Sequence, residues 1–321
     1  MHAQKRFLSK EDIQHFLDEV GQLYTTNDYP ADLVYNMDET MVQINDQKSV
    51  KVIIPARDRR PAVSSPKKFE HITLMVCISA AGQHTSHVLI IKQKTQPELP
   101  QSVIDNCALV HQAAGWISKE IFEDWVVKIF IPHVKSTRSK LGLGARRAIL
   151  FLDKHSSRDS ESARKLFAEN NIDLKLLPAH SSTILQPLDL FPFEHFKNYI
   201  SSTINSQSEA AKSTVTKYEL LQVAMDGLEV ALVPPYCRKG FEKSGLYPFN
   251  PNMPFSSPFL LDELPNDEHQ RVGAKRHHRL TEGLLLPNKQ QQITTPRKFK
   301  IKAIMGQEKS EIVHLVRVRE A

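Results

Sequence analysis

Three aspartates, Asp38, Asp153 and Asp189, stand in settings where a carboxylate is costly unless it is used. Asp38 falls in the middle of residues 33–44, a run that reads as a strand. Asp153 closes the apolar run Ala148-Ile149-Leu150-Phe151-Leu152, and Asp189 follows Gln186-Pro187-Leu188 at the expected start of a helix. A carboxylate set in or beside apolar strands must be paired or ligate a metal. Three of them could gather around one or two hard divalent cations, Mg2+ or Mn2+, which carboxylate oxygens suit. Two such ions about 4 Å apart activate a water or hydroxyl and stabilise the leaving oxygen of an in-line phosphoryl displacement. Spacing alone leaves open the alternative of three unrelated acids at strand ends and helix caps.

Positioning such acids requires a sheet and helices to hold it. Residues 10–24 suit a helix, with Ser9 as N-cap, Asp12 three positions on, and Phe16, Leu17, Val20 and Leu23 at helical spacing. Residues 50–54 and 71–79 read as strands, and Ala80-Ala81-Gly82-Gln83 turns the second into 88–91 as a hairpin. Over 118–133 the period becomes helical, with Ser118 as cap and Ile121, Phe122, Trp125, Val126 and Ile129 on one stripe. A basic loop is expected over 135–147, a buried strand over 148–153, a helix over 157–169 capped by Ser157, and a strand over 172–177. Pro187 can open a helix running to about residue 200, followed by a Ser/Thr-rich connection over 201–216. Residues 217–241 read as helix interrupted by Pro234-Pro235. An antiparallel start followed by alternating helix and strand predicts an α/β class with a mixed sheet flanked by helices. The expected division is a helical lead-in at 1–32, a central α/β domain at 33–206, its helical C-terminal part at 207–256 and a basic, largely disordered tail at 257–321.

Composition narrows the function. The 321 residues are 40% hydrophobic and 24% charged, enough for a sizeable core. No apolar run nears the ~18 residues of a membrane span. Cys77, Cys107 and Cys237 are too few and too scattered for a disulfide framework or a paired-cysteine zinc site, and point to a reducing compartment. Glycine is scarce at 11 residues, and no phosphate loop or dinucleotide fingerprint can be placed, which disfavours the common nucleotide-dependent enzymes. The net charge of +6 is uneven, because residues 271–302 carry +8 and the rest of the chain −2. Within that stretch Lys275, Arg276 and Arg279 form a candidate nuclear-import or nucleic-acid patch. Residues 51–68 and 135–147 are also basic. In the second stretch Lys135, Arg138, Lys140, Arg146 and Arg147 are candidates to hold DNA backbone phosphates.

Five ordered segments resemble the DDE-type transposase domain of the pogo, Tigger and jerky group in the mariner superfamily. Asn36-Met37-Asp38-Glu39-Thr40 resembles that family's N-x-D-E-T motif, and Gly115-Trp116 through Pro132-His133 its G-W…W…H segment. Leu150-Phe151-Leu152-Asp153-Lys154-His155-Ser156-Ser157 resembles its L-x-L-D-N-H-x-S motif, and Pro178-Ala179-His180-Ser181-Ser182 through Gln186-Pro187-Leu188-Asp189 its P-x-H-S/T…L-Q-P-L-D motif. Phe241 through Pro251 resembles its closing F-x-x-x-G-I/L-x-P-F-N-P signature.

The resemblance covers roughly residues 10–251. It implies a ribonuclease-H-like fold, Asp38, Asp153 and Asp189 as the catalytic and metal-ligating triad, Mg2+ or Mn2+ as cofactor, and nuclear two-metal cleavage and transfer of DNA strands. DNA is the implied partner, a homo-oligomer is compatible with the resemblance, and no membrane is implicated. Three departures bear on activity. Lys154 stands where the family has Asn, Arg158 where it has His, and Phe191-Pro192 follow the third acid where a small residue is usual. An ammonium beside a metal ligand competes with the cation, and proline beyond a first helical turn breaks the helix. Activity is therefore expected to be reduced or lost, the alternative being a catalytically inert DNA- or chromatin-associated protein. About 30 residues precede the first motif and no helix-turn-helix pair fits there, so DNA binding by this chain is expected to be non-specific.

Overall fold

In the computed structural model, which describes residues 8–43, 71–92, 107–112, 117–154, 160–211, 217–257 and 260, everything is built around strand β1, Val34–Gln43. It is joined by β2 His71–Ser79, β3 His87–Lys92, β4 Cys107–Gln112, β5 Ala148–Leu152 and β6 Ile172–Leu176. The sheet order is β4–β3–β2–β1–β5–β6. β1, β2 and β3 form an antiparallel meander, and β5 and β6 continue the sheet in parallel on the other side of β1. This is a six-stranded mixed sheet. The turn from β2 to β3 needs Gly82, whose φ of +96° is open to glycine and whose missing Cβ makes room for Pro234. The edge strand β4, parallel to β3, has no counterpart among the strands expected from sequence.

Because successive strand residues face opposite ways, β1 divides the core in two. Val34 and Val42 join one apolar cluster, Tyr35 and Met37 the other. Helix α1, Lys10–Thr26, lies on the first face and buries Ile13, Phe16, Leu17 and Val20 there. Its start is fixed by the Ser9–Asp12 capping box. On the second face, α2 Lys119–Trp125, capped by Ser118, passes through a π-helical turn at Val126–Phe130 into α3 Ile131–Lys140. The expected stripe is buried in full and continues through Phe130 and Val134. Tyr35 and Phe130 meet edge to face at 5.2 Å, and Phe130 stacks on Trp125 at 4.9 Å.

Several boundaries differ from expectation. The helix does not give way to a loop at 135 but runs to Lys140, because Val134 and Thr137 still have a core to face. Helix α4, Glu161–Glu169, is capped by Ser160 rather than Ser157, which lies outside the described residues. The helix expected from Pro187 to about residue 200 is two helices. A single turn, α6 Pro187–Leu190, ends at Phe191, whose φ of −150° and ψ of −61° are not helical. Helix α7, Pro192–Ala211, then starts on the proline. Pro192 thus begins a helix, where its missing N–H costs nothing, and the expected break falls one residue earlier. Residues 201–211, read as a connection, are helical. α5 Ser182–Leu185, α8 Lys217–Ala231 and α9 Pro234–Ser244 complete the first face. The expected strand at 50–54, the basic stretch 51–68, Gly115-Trp116, residues 155–158 and nearly all of the tail lie outside the described residues.

Candidate metal and phosphodiester site

β1 presents Asn36 and Asp38 on the face it shares with Val34 and Val42. Asp38 is 8% exposed and Asn36 fully buried. β5 pairs with β1 in parallel, Tyr35 opposite Leu150 and Asn36 opposite Phe151. The pairing ends there, and Asp38 and Asp153 each follow it by two residues, Asp38 within β1 and Asp153 just past the end of β5. The third acid comes from α6, where Asp189 lies in the first turn and its neighbours Pro187 and Leu188 are buried.

One buried amide connects the three segments. Asn36 Nδ2 donates to the Phe151 carbonyl at 3.0 Å and to Gln186 Oε1 at 2.8 Å, and its Oδ1 accepts from Leu188 N–H at 3.2 Å. Phe151 is two residues before Asp153, and Leu188 is the residue before Asp189. α9 supports α6 from behind, and Gly240 lets it come close, since a Cβ there would meet the Pro187 carbonyl oxygen at 2.4 Å.

The electrostatics agree with convergence. Burial, followed by the negative charge of Asp38, pushes the Asp189 carboxyl up to about 6, against the opposing pull of Lys197. A divalent cation placed between the two carboxylates would offset the repulsion that Asp189 feels. Among the described residues, no three His, Cys, Asp or Glu side chains enclose an ion unaided. A Mg2+-type site does not require that, because such ions are held through one or two carboxylates and complete their shell with water and substrate phosphate oxygens. The donor set fits a hard cation, and Asp38 and Asp189 would be its first ligands, with Asp153 beside them. Lys154, next to Asp153, is exposed.

The basic candidates are placed elsewhere. Arg146 and Arg147 precede β5 whereas Asp153 follows it, so about 20 Å of strand separates them. Arg138 is buried and spends its guanidinium on the Asn170 and Asn171 carbonyls at 2.8 Å each, satisfying the end of α4. Arg147 is committed to Asp173, with its Nε 2.6 Å away. Burial would raise the Asp173 carboxyl, but hydrogen bonds from Arg147 and Tyr29 outweigh it and hold it below its ordinary value. Arg138 and Arg147 are therefore fold residues and leave the phosphate-binding set. Lys135, Lys140 and Arg146 remain on the surface, Arg146 in an exposed pair with Asp28. Lys275, Arg276 and Arg279 lie outside the described residues. Sequence reasoning missed Asn36, Gln186 and Lys197. The first two stand inside the motifs, but nothing in their types says that one amide bridges three segments.

The mixed sheet thus carries one acid within β1 and one just past the end of β5, with a third on the one-turn helix α6. The chain belongs to the DDE superfamily endonuclease family, whose model matches residues 69–231 and so includes Asp153 and Asp189. It is 29% identical over 228 residues to a Cochliobolus lunatus protein named MFS-type transporter clz9, covering 70% of this chain and 24% of that protein. It is 26% identical over 215 residues to the human Jerky protein homolog, covering 65% of this chain and 37% of that one. The chain thus spans about a quarter to about a third of the length of these relatives. Among solved structures, the Mos1 mariner paired end complex with Mn matches at a TM-score of 0.47 and 15% identity, over 78% of this chain and 64% of that one. Among the described residues, no helix is long and apolar enough to cross a membrane.

Proposed function

We propose that Asp38, Asp153 and Asp189 bind Mg2+ or Mn2+ and that the domain acts on phosphodiester bonds of DNA. The observation that supports this reading is that Asp189 feels the Asp38 charge, while Asp38 and Asp153 each lie two residues beyond the paired Asn36 and Phe151. When bound, the cation supplies Lewis-acid activation of a water or hydroxyl and neutralises charge on the phosphate. The chain's own contribution is to hold the acids against β1 and β5 and to bury Asp38 so that few waters compete for it. Ionisation of Asp189 sets the lower pH limit for cation binding. DNA is held non-specifically, with Lys135, Lys140 and Arg146 contributing contacts remote from the acids. Nuclear residence follows from that substrate and from the Lys275, Arg276 and Arg279 cluster.

Lys154 favours a second reading, in which the domain keeps the fold and binds DNA without cutting it, because a lysine ammonium beside Asp153 opposes a cation there. Pro192 no longer supports that reading, since it begins α7 and leaves α6 intact. Nicking of supercoiled plasmid with Mn2+ separates the two. Slow nicking that is lost in Asp153→Ala supports the first reading. Equal behaviour of wild type and Asp153→Ala supports the second.

A further inference from the structure

The acids come from three pieces of chain that, among the described residues, share no backbone hydrogen bonding around the site beyond the β1–β5 pair. Asp153 sits past the last strand residue of β5, and Asp189 rides on a helix of a single turn, Pro187–Leu190. A one-turn helix has almost no stability of its own, so something else must fix where Asp189 points. The apolar contacts of Leu185 and Leu188 hold α5 and α6 down on the sheet, but such contacts are non-directional and tolerate sliding.

We infer that Asn36 and Gln186 form a buried amide relay that sets the separation of the three carboxylates and thereby the cation affinity of the site, so that both are positioning residues for it. This rests on the metal-site reading above and deepens it.

The polarity of the relay is fixed at its ends by backbone groups that cannot change sign. Asn36 Nδ2 faces a carbonyl at Phe151, which only accepts, and Asn36 Oδ1 faces the N–H of Leu188, which only donates. The Asn36 amide therefore has one workable orientation, and the Gln186 amide must present its oxygen to it. In consequence Asn36 is tied at once to β5 and to α6 from its place on β1, two residues from Asp38.

The relay is not the cheapest way to fill this space. Asn36 and Gln186 are both fully buried, and Gln186 Nε2 has no hydrogen-bond partner. An unmatched buried amide costs about 1–3 kcal/mol. Two residues kept only for packing would be better apolar, like their neighbours Val34, Leu185 and Leu188. Directional bonds supply what apolar packing does not, a single register of α6 against the strands. Groups that orient metal ligands change affinity about 10–100-fold when removed.

The test is calorimetric Mn2+ titration of the full chain, with circular dichroism and thermal melting of every variant in parallel. Asp189→Asn establishes whether the acids form the site. Asn36→Leu should weaken Mn2+ about 10-fold or more. Gln186→Met is the milder change, since it leaves both backbone bonds of Asn36 in place, and it should weaken Mn2+ several-fold. It decides the matter if Asn36→Leu does not fold. Phe130→Leu, on the opposite face of the sheet, should lower the melting temperature while leaving Mn2+ affinity as in wild type, which a merely structural role for Asn36 and Gln186 would not distinguish. If Asp189→Asn weakens binding but Asn36→Leu and Gln186→Met bind Mn2+ as wild type does, or if Phe130→Leu weakens Mn2+ as much as they do, the relay is overturned while the metal site stands. If Asp189→Asn binds like wild type, the metal site and the relay both fail.

Discussion

The two faces of β1 solve different problems with the same backbone. On one face Tyr35 and Met37 meet Trp125, Phe130 and Phe167, a cluster of interlocking rings and aliphatic chains. On the other, Asn36 and Asp38 are set among Val34, Val42, Leu185 and Leu188 as polar groups in an apolar layer. The first face gains stability by close packing. The second gives some of it up, through the unpartnered Nε2 of Gln186 and the repulsion of Asp189 by Asp38. The contrast teaches that close packing and the candidate acids are carried by opposite sides of one strand, one residue apart.

Substitutions should separate the two. The largest effect on folding is expected from Phe130→Ala, which empties the ring cluster and should cost about 3–5 kcal/mol in urea unfolding. The Mn2+ affinity of the remaining folded protein should not change. A loss of Mn2+ binding in step with stability would mean that the faces are coupled. Gly240→Ala comes next, because its Cβ would collide with the Pro187 carbonyl. A cost of about 1–3 kcal/mol is expected, accompanied here by weaker Mn2+ binding, since the strain falls on α6.

The acid face should also show itself in pH dependence. The Asp189 carboxyl is raised in the folded protein, so the folded state holds its proton at pH values where the unfolded chain has released it. Its contribution to stability is fully present below the ordinary carboxylate value of about 3.9. In metal-free protein that contribution is lost as pH rises through about 6. Asp189→Asn should remove this part of the profile in pH-dependent melting, and saturating Mn2+ should do the same in wild type. Mn2+ affinity itself should fall as pH drops below about 6. The smallest effects belong to surface lysines. Lys154→Asn should tighten Mn2+ a few-fold by removing a charge. Lys135→Ala with Lys140→Ala should weaken DNA binding a few-fold in filter binding at low salt, without altering Mn2+ affinity.

Much of the ring-bearing face was legible in the sequence, because burial there follows periodicity. The stripe Ile121, Phe122, Trp125, Val126 and Ile129 is buried as its spacing predicts. What periodicity could not show is the π-helical turn at Val126–Phe130 that carries the stripe on to Phe130 and Val134. The acids of the other face were legible as motif residues, but their support was not. Asn36 and Gln186 are 150 residues apart, and only the β1–β5 register and the fold of α6 bring their amides together. The basic stretch 135–147 misled in the opposite direction. Charge counting reads Arg138 and Arg147 as free to meet phosphates, whereas carbonyls at the end of α4 and the Asp173 carboxylate claim them first. Pro192 misled because a proline that breaks one helix also starts the next, and local sequence does not say which.

Whether the three carboxylates share one cation is the central question for this molecule. Mn2+ titration by calorimetry at pH 7, on wild type and on Asp38→Asn, Asp153→Asn and Asp189→Asn, measures this without requiring catalysis. The account predicts measurable binding in wild type and a loss of about 10-fold or more in each single variant, all with unchanged circular dichroism. Equal Mn2+ binding by all four proteins would contradict it and reduce Asp38, Asp153 and Asp189 to acids that share a fold but not a site.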